Sequence, residues 1–340
     1  MNTRKRKATF SQKLGAIGIA FGYLALFVGL QVIVELIVGI VWGLYYSFSV
    51  LPYGDFSAET LAESMPLSDL TLISLIISNV LALFFGIILM ELRKKPFENE
   101  VGWHKLNKES GLLAHIAAPV SIGFALSILV TMGFAILFSL FPSLNEVFET
   151  YTEKTSVFEE GNSILTFLAT VIAAPVAEEL IFRGFIYTRL RRAFSYVPSL
   201  LITALLFGLV HGTLVHMLYV PLLSIILCIF YDRYRTLWAP ILLHFGFNLA
   251  GSTMMYYTDI PFWFVGICAA LTAFGIIMLC AYRPHVTDET WSITMSLPQK
   301  KTAPQYDYAA SCIYPPTNEE MPMPEAQNEA PMERTEGDGV

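Results

Sequence analysis

Charge is scarce in this chain. Only 14% of its 340 residues are Asp, Glu, Lys or Arg, where soluble domains carry roughly 25%. The net charge of -7 comes mostly from acids in loops and tail. No basic stripe interleaves with aromatic residues, so nothing points to nucleic acid as a partner. Cysteine is sparse too: Cys228, Cys268, Cys280 and Cys312 are the four. They form no CxxC pair, which excludes a disulfide framework or a zinc ribbon of ordinary spacing. They read as small apolar residues, three in apolar segments and one in the tail. There is no internal repeat and no HExxH run, so a standard zinc-protease helix is absent.

What the chain has in abundance is apolar residues, 55% of the total. Runs long enough to cross about 30 Å of hydrocarbon recur along it. They predict an all-α polytopic membrane protein of about eight transmembrane helices. The spans fall near 15–48, 70–91, 112–141, 163–187, 197–216, 217–231, 239–257 and 262–282. Pro221 leaves the fifth and sixth softly divided. Basic residues cluster in the N-terminus (Arg4, Lys5, Arg6, Lys7, Lys13) and in alternate loops. These hold Arg93, Lys94, Lys95, Lys105 and Lys108, then Arg189, Arg191 and Arg192, then Arg233 and Arg235. The intervening loops hold Lys154 alone. By the positive-inside rule both termini are expected in the cytoplasm. The first span is too long for a signal peptide and lacks a clear cleavage site, which favours an uncleaved anchor. Three regions follow. Residues 1–14 are a basic cytoplasmic N-terminus, and 15–282 a membrane domain. Residues 283–340 are a tail too poor in apolar residues to fold alone, expected to be disordered and cytoplasmic.

Within the fourth span stand Glu178, Glu179 and Arg183. A charge at mid-span costs about 2.5 kcal/mol or more. Glu179 and Arg183 are four apart, with the acid on the N-terminal side, the better orientation for a helical ion pair. Glu178 points about 100° away and finds Ile181 and Phe182 at its own i+3 and i+4 positions. A carboxylate left unpaired in low dielectric holds a proton more readily, which suits a general base. Alternatively, both acids bind polar groups on neighbouring helices. Phe207 and His211, on the fifth span, are again four apart. His211 either holds a water against a carboxylate or is a hydrogen-bonded core residue. His216 lies off that face and reads as incidental. In the seventh span His244 and Asn248 share a face, with Gly246 between them allowing close approach of another backbone or a substrate. Both side chains carry N–H donors, as an oxyanion site needs. Interhelical hydrogen bonding is the other reading of both. Glu35, midway along the first span, would pair across the bundle or mark a polar cavity, and His115 reads as incidental.

Together these residues place a carboxylate, two histidines and an amide on three membrane helices, a set suited to water attack on a carbonyl. No Ser or Cys nucleophile stands beside a histidine in these motifs. Helix counting at about 1.5 Å per residue places His211 deeper than Glu178, a mismatch that a different helix boundary or tilt has to remove. The cytoplasmic half is the expected depth.

The ordered motifs EExxxR, FxxxH and HxxxN resemble those of the type II CAAX prenyl endopeptidases and their prokaryotic CPBP relatives. Here they read Glu178-Glu179-Leu-Ile-Phe-Arg183, Phe207-Gly-Leu-Val-His211 and His244-Phe-Gly-Phe-Asn248, within residues 163–257. The resemblance implies an intramembrane endopeptidase with its site inside the bundle, in a prokaryotic plasma membrane. Glu178 with His211 would activate water, and His244 with Asn248 would stabilise the oxyanion. Glu179, Arg183 and Phe207 would support them. No cofactor is expected; zinc held by Glu178, His211 and His244 is the alternative. The expected partners are the lipid bilayer and a membrane-associated peptide. A prenylated CAAX protein is one candidate substrate and a bacteriocin-related peptide another. A non-catalytic scaffold recruiting partners through the tail, or a proton-coupled transporter, are the competing functions. The intact motif residues disfavour the first. The lack of inverted repeats disfavours the second.

Overall fold

An apolar segment in lipid has to satisfy its backbone internally, and the helix does this within one segment. A computed structural model of the chain describes residues 8–49, 67–92, 112–234, 236–254 and 262–281. Among these residues there are helices and no strand. The expected disordered tail (283–340), the basic loop 93–111 and Cys312 lie outside the described residues, as do the His115 and Cys280 side chains.

Eight apolar helices match the eight expected segments. They are α1 (Phe10–Ser49), α2 (Leu67–Leu92) and α3 (Leu112–Leu140), then α6 (Ser163–Arg191), α7 (Tyr196–Leu209), α8 (Leu214–Tyr234), α9 (Trp238–Met254) and α10 (Phe262–Ala281). Between α3 and α6 lie the polar helix α4 (Asn145–Thr155) and the single turn α5 (Val157–Glu160). Among the described residues five helices, α1, α2, α3, α6 and α8, are long and apolar enough to cross a membrane. The chain is therefore an all-α integral membrane protein. Eight full crossings do not follow, because α7 has 14 residues and α9 has 17, short of the usual 20 or so.

Three boundaries differ from expectation by more than three residues. α1 starts at Phe10 and takes in Lys13, whose ammonium lies 5.8 Å from the Phe194 ring. α6 continues to Arg191, past the expected end at 187. The fifth segment ends at Leu209, not at 216. Gly212 there adopts a positive φ of 67°, a conformation that glycine reaches without steric cost. Thr213 then caps α8 by accepting the His216 N–H. Among the described residues Glu35 has no partner across the bundle; it is exposed on α1.

α6 is the central helix, and every residue from Leu180 to Tyr187 is buried. Its start is fixed by Asn162, whose side chain accepts the Ile164 and Leu165 N–H groups while its own N–H donates to Asp69 of α2. α1 packs antiparallel to it, through Tyr23 on Phe185 and Phe27 on Phe182. α2 runs parallel to it, with Gly86 against Leu180 and Gly184 against Met90. α3 and α9 approach backbone to backbone. A Cβ on Gly123 would overlap the Leu243 carbonyl, and one on Gly246 would overlap the Val120 carbonyl. Gly246 thus admits a neighbouring backbone. Gly123→Ala and Gly246→Ala should each cost about 1–3 kcal/mol, read as a lower unfolding temperature in detergent. Gly43→Ala, with nothing near its Cβ, should lose none, since alanine is the better helix former.

Candidate functional site

Two of the three charges on α6, Glu179 and Arg183, find partners on three other helices. The expected ion pair forms: Arg183 Nη1 lies 2.8 Å from Glu179 Oε1, and both side chains are fully buried. Arg183 Nη2 donates to Ser224 of α8, to its hydroxyl at 2.8 Å and its carbonyl at 3.2 Å. The guanidinium carbon sits 4.7 Å from the centre of the Phe207 ring of α7, a cation–π contact. Glu179 Oε1 also lies 3.0 Å from His244 Nδ1 of α9. An ionised carboxylate only accepts, so Nδ1 carries the hydrogen and Nε2 faces away from Glu179. That second nitrogen lies 4.0 Å from Glu178 Oε2, too far for a direct hydrogen bond. Oε2 of Glu178 has no hydrogen-bond partner among the described residues.

His211 stands in the turn after α7. Its Nδ1 lies 2.8 Å from the Phe207 carbonyl, one of the last carbonyls of that helix and without an intrahelical partner. The carbonyl accepts, so His211 presents a lone pair at Nε2. The Phe207 ring centre is 5.0 Å from that of His211 and 5.8 Å from that of His244. The two histidines therefore flank one ring. The depth mismatch shrinks because four additional residues of α6 lift Glu178 by about 6 Å.

Asn248 is held by an irregularity in α6. Residues Phe167–Ala173 and Leu180–Tyr187 are π-helical, on either side of the α-helical Ala174–Glu179. The Ala174 N–H bonds to the Ala169 carbonyl, five residues back. The next donor in that series would be residue 175, which is a proline and has no N–H. The Thr170 carbonyl is thus freed, and Asn248 Nδ2 donates to it at 2.8 Å. One Asn248 N–H and the His244 Nδ1–H are therefore already engaged within the protein. The second Asn248 N–H and the far side of His244 are what a ligand could meet.

His216, read as incidental from the sequence, lies beside the site. Its ring centre is 5.4 Å from that of His211. Tyr151 of α4 and Tyr219 of α8 pack on it at 5.2 Å and 5.6 Å. The two tyrosine hydroxyls hydrogen-bond to each other. Burial, reinforced by Glu159, holds the Tyr151 hydroxyl above its ordinary range. The signal that could have placed His216 is His-Gly-Thr at 211–213, which combines a left-handed glycine with a helix-capping threonine.

Residues 160–250 match the model of the family "Type II CAAX prenyl endopeptidase Rce1-like". That stretch contains all three motifs. A protein of Bacillus subtilis (strain 168), named "Putative membrane peptidase YdiL", is 31% identical over 84 residues. The match covers 25% of this chain and 34% of that relative, so the chain spans about a third of the length of the curated protein it resembles. No solved structure matches.

Two stability outcomes follow from this geometry. Arg183→Ala leaves Glu179 charged and buried without its guanidinium, and should cost about 3–5 kcal/mol, read by thermal unfolding in detergent. Asn248→Ala should cost about 1–3 kcal/mol by orphaning the Thr170 carbonyl. The same change should cost clearly less in a Pro175→Ala background, where an N–H becomes available to that carbonyl. A double-mutant cycle measures the difference; additive costs would contradict the pairing.

Proposed function

We propose that this chain is an intramembrane endopeptidase that uses Glu178 as its base, with both termini in the cytoplasm. The observation that carries this reading is the pairing of an unbonded Glu178 oxygen with His244 Nε2, 4.0 Å away, on a ring whose other nitrogen is tied to Glu179. The matches to a prenyl endopeptidase family and to a membrane peptidase support the reaction class.

Glu178 takes a proton from a water whose other hydrogen is held by the His211 Nε2 lone pair. The water oxygen bonds to the carbonyl carbon, and the carbonyl oxygen becomes an oxyanion. The proton passes from Glu178 to His244 Nε2, and the new N–H donates to the oxyanion together with the second Asn248 N–H. The C–N bond then breaks, and the proton leaves on the amine. Glu179 holds the His244 ring and stabilises it while it is positive, as an acid behind a histidine does in hydrolytic triads. The substrate is a membrane-associated peptide, with CAAX-like C-terminal processing the class that the family match suggests.

The mechanism is written without a metal. Among the described residues no three His, Cys, Asp or Glu side chains converge to hold one. The bonds of His211 Nδ1 and His244 Nδ1 to Phe207 and Glu179 leave both Nε2 lone pairs open, as they are in zinc-ligating histidines, so zinc is the alternative that chelation tests.

The test is cleavage by the purified protein in detergent, with prenylated and unmodified peptides. Glu178→Gln and His211→Ala should each lose about 100-fold or more while unfolding at near wild-type temperatures. Full activity in Glu178→Gln would remove it as the base. Activity should survive strong chelators; loss on chelation with recovery on zinc would overturn the metal-free mechanism.

A further inference from the structure

The His216 ring is set by a threonine. Thr213 Oγ1 accepts the His216 backbone N–H at 3.1 Å. The single hydroxyl hydrogen of Thr213 is then free for its other contact, 2.7 Å to His216 Nδ1. With that hydrogen given to Nδ1, the assignment that uses the hydroxyl as donor, the neutral ring carries its own hydrogen on Nε2. His211 has the opposite arrangement, with the hydrogen on Nδ1 and a lone pair on Nε2. Neither Nε2 has a hydrogen-bond partner among the described residues. The rings are 5.4 Å apart, so the His216 donor stands beside the ring whose acceptor the mechanism gives to water. A peptide carbonyl is the complement of that donor. Other N–H groups of the site are less free, since His244 Nδ1–H goes to Glu179 and one Asn248 N–H to Thr170.

We infer that His216 is a substrate-binding residue whose Nε2–H donates to a backbone carbonyl beside the bond that is cut. An extended peptide advances about 3.3–3.6 Å per residue. A ring 5.4 Å from His211 therefore meets a peptide group one or two residues from the one attacked. Tyr151 and Tyr219 enclose His216, and Tyr219 stacks on Phe247 at 5.9 Å. This gives an extended chain a flat aromatic wall with one fixed donor. Thr213 is a positioning residue that acts through His216.

The inference rests on the peptidase reading, and the experiment separates the two. The probe is a fluorescent peptide that the wild type cleaves. His216→Phe keeps an aromatic ring against Tyr151 and Tyr219 but removes the N–H. It should raise KM about tenfold and leave kcat within about twofold. In a Glu178→Gln background it should weaken binding of the same peptide by a similar factor, read by anisotropy. His216→Gln, which keeps an N–H donor, should recover most of the loss. Thr213→Val, which unfixes the tautomer, should reproduce part of it, and Thr213→Ser none. If His216→Phe folds and neither KM nor binding changes, the inference falls, while an inactive Glu178→Gln still upholds the peptidase. If His216→Phe fails to fold, the Thr213 pair decides: equal KM values for Val and Ser overturn the inference. If the wild type cleaves no peptide, or Glu178→Gln cleaves normally, the peptidase reading fails and this inference with it.

Discussion

The polar interior depends on the ion pair between Glu179 and Arg183. Both groups are removed from water, where an unpartnered charge is costly. Each draws further partners from other helices, Arg183 from Ser224 and the Phe207 ring and Glu179 from His244, while Glu179 Oε2 and Arg183 Nε have no hydrogen-bond partner among the described residues. One pair therefore fixes α7, α8 and α9 against α6. Glu178 stands apart from these bonds. Its Oε2 has no hydrogen-bond partner among the described residues, and the ring nitrogen it faces, His244 Nε2, is 4.0 Å away.

The hydrogen-bond donors in this region are mostly spent on one another. Thr170 holds Asn248, Glu179 holds His244, Phe207 holds His211 and Thr213 holds His216. Each of these bonds fixes which atom of the side chain remains exposed to a ligand. The close backbone contact of α3 with α9 at Gly123 and Gly246 adds rigidity to the helix that carries His244 and Asn248. The polar groups of this region are thus fixed by the fold itself.

Much of this was legible in the sequence, because helical spacing is a local property. The i,i+4 relation of Glu179 and Arg183 predicted their bond, and the apolar runs located eight helices. The i,i+4 relation of Phe207 and His211 held too, but through a backbone carbonyl that residue types do not reveal. What stayed hidden required the other helices or an irregular backbone. The glycine and threonine after His211 signalled a helix end, yet the apolar residues around them argued for one continuous span. Pro175 announced a carbonyl without a donor, but not that Asn248, far along the chain on α9, would supply it. His216 looked incidental because counting along a continuous helix turns it away from His211, whereas the turn at Gly212 brings the two rings together.

The two π-helical stretches of α6 have a further consequence. A π-turn is one extra residue lodged in an α-helix, and in ordinary α form that residue would add about 100° of phase between the two halves of α6. The wider turn absorbs it, so Asn162 meets Asp69 and the Thr170 carbonyl meets Asn248. Forcing 167–173 into ordinary α form at the same length would rotate the half that precedes it relative to Glu178, with every motif residue still present. The arrangement around Glu178 therefore depends on the backbone form of that turn as much as on the identity of the motif residues.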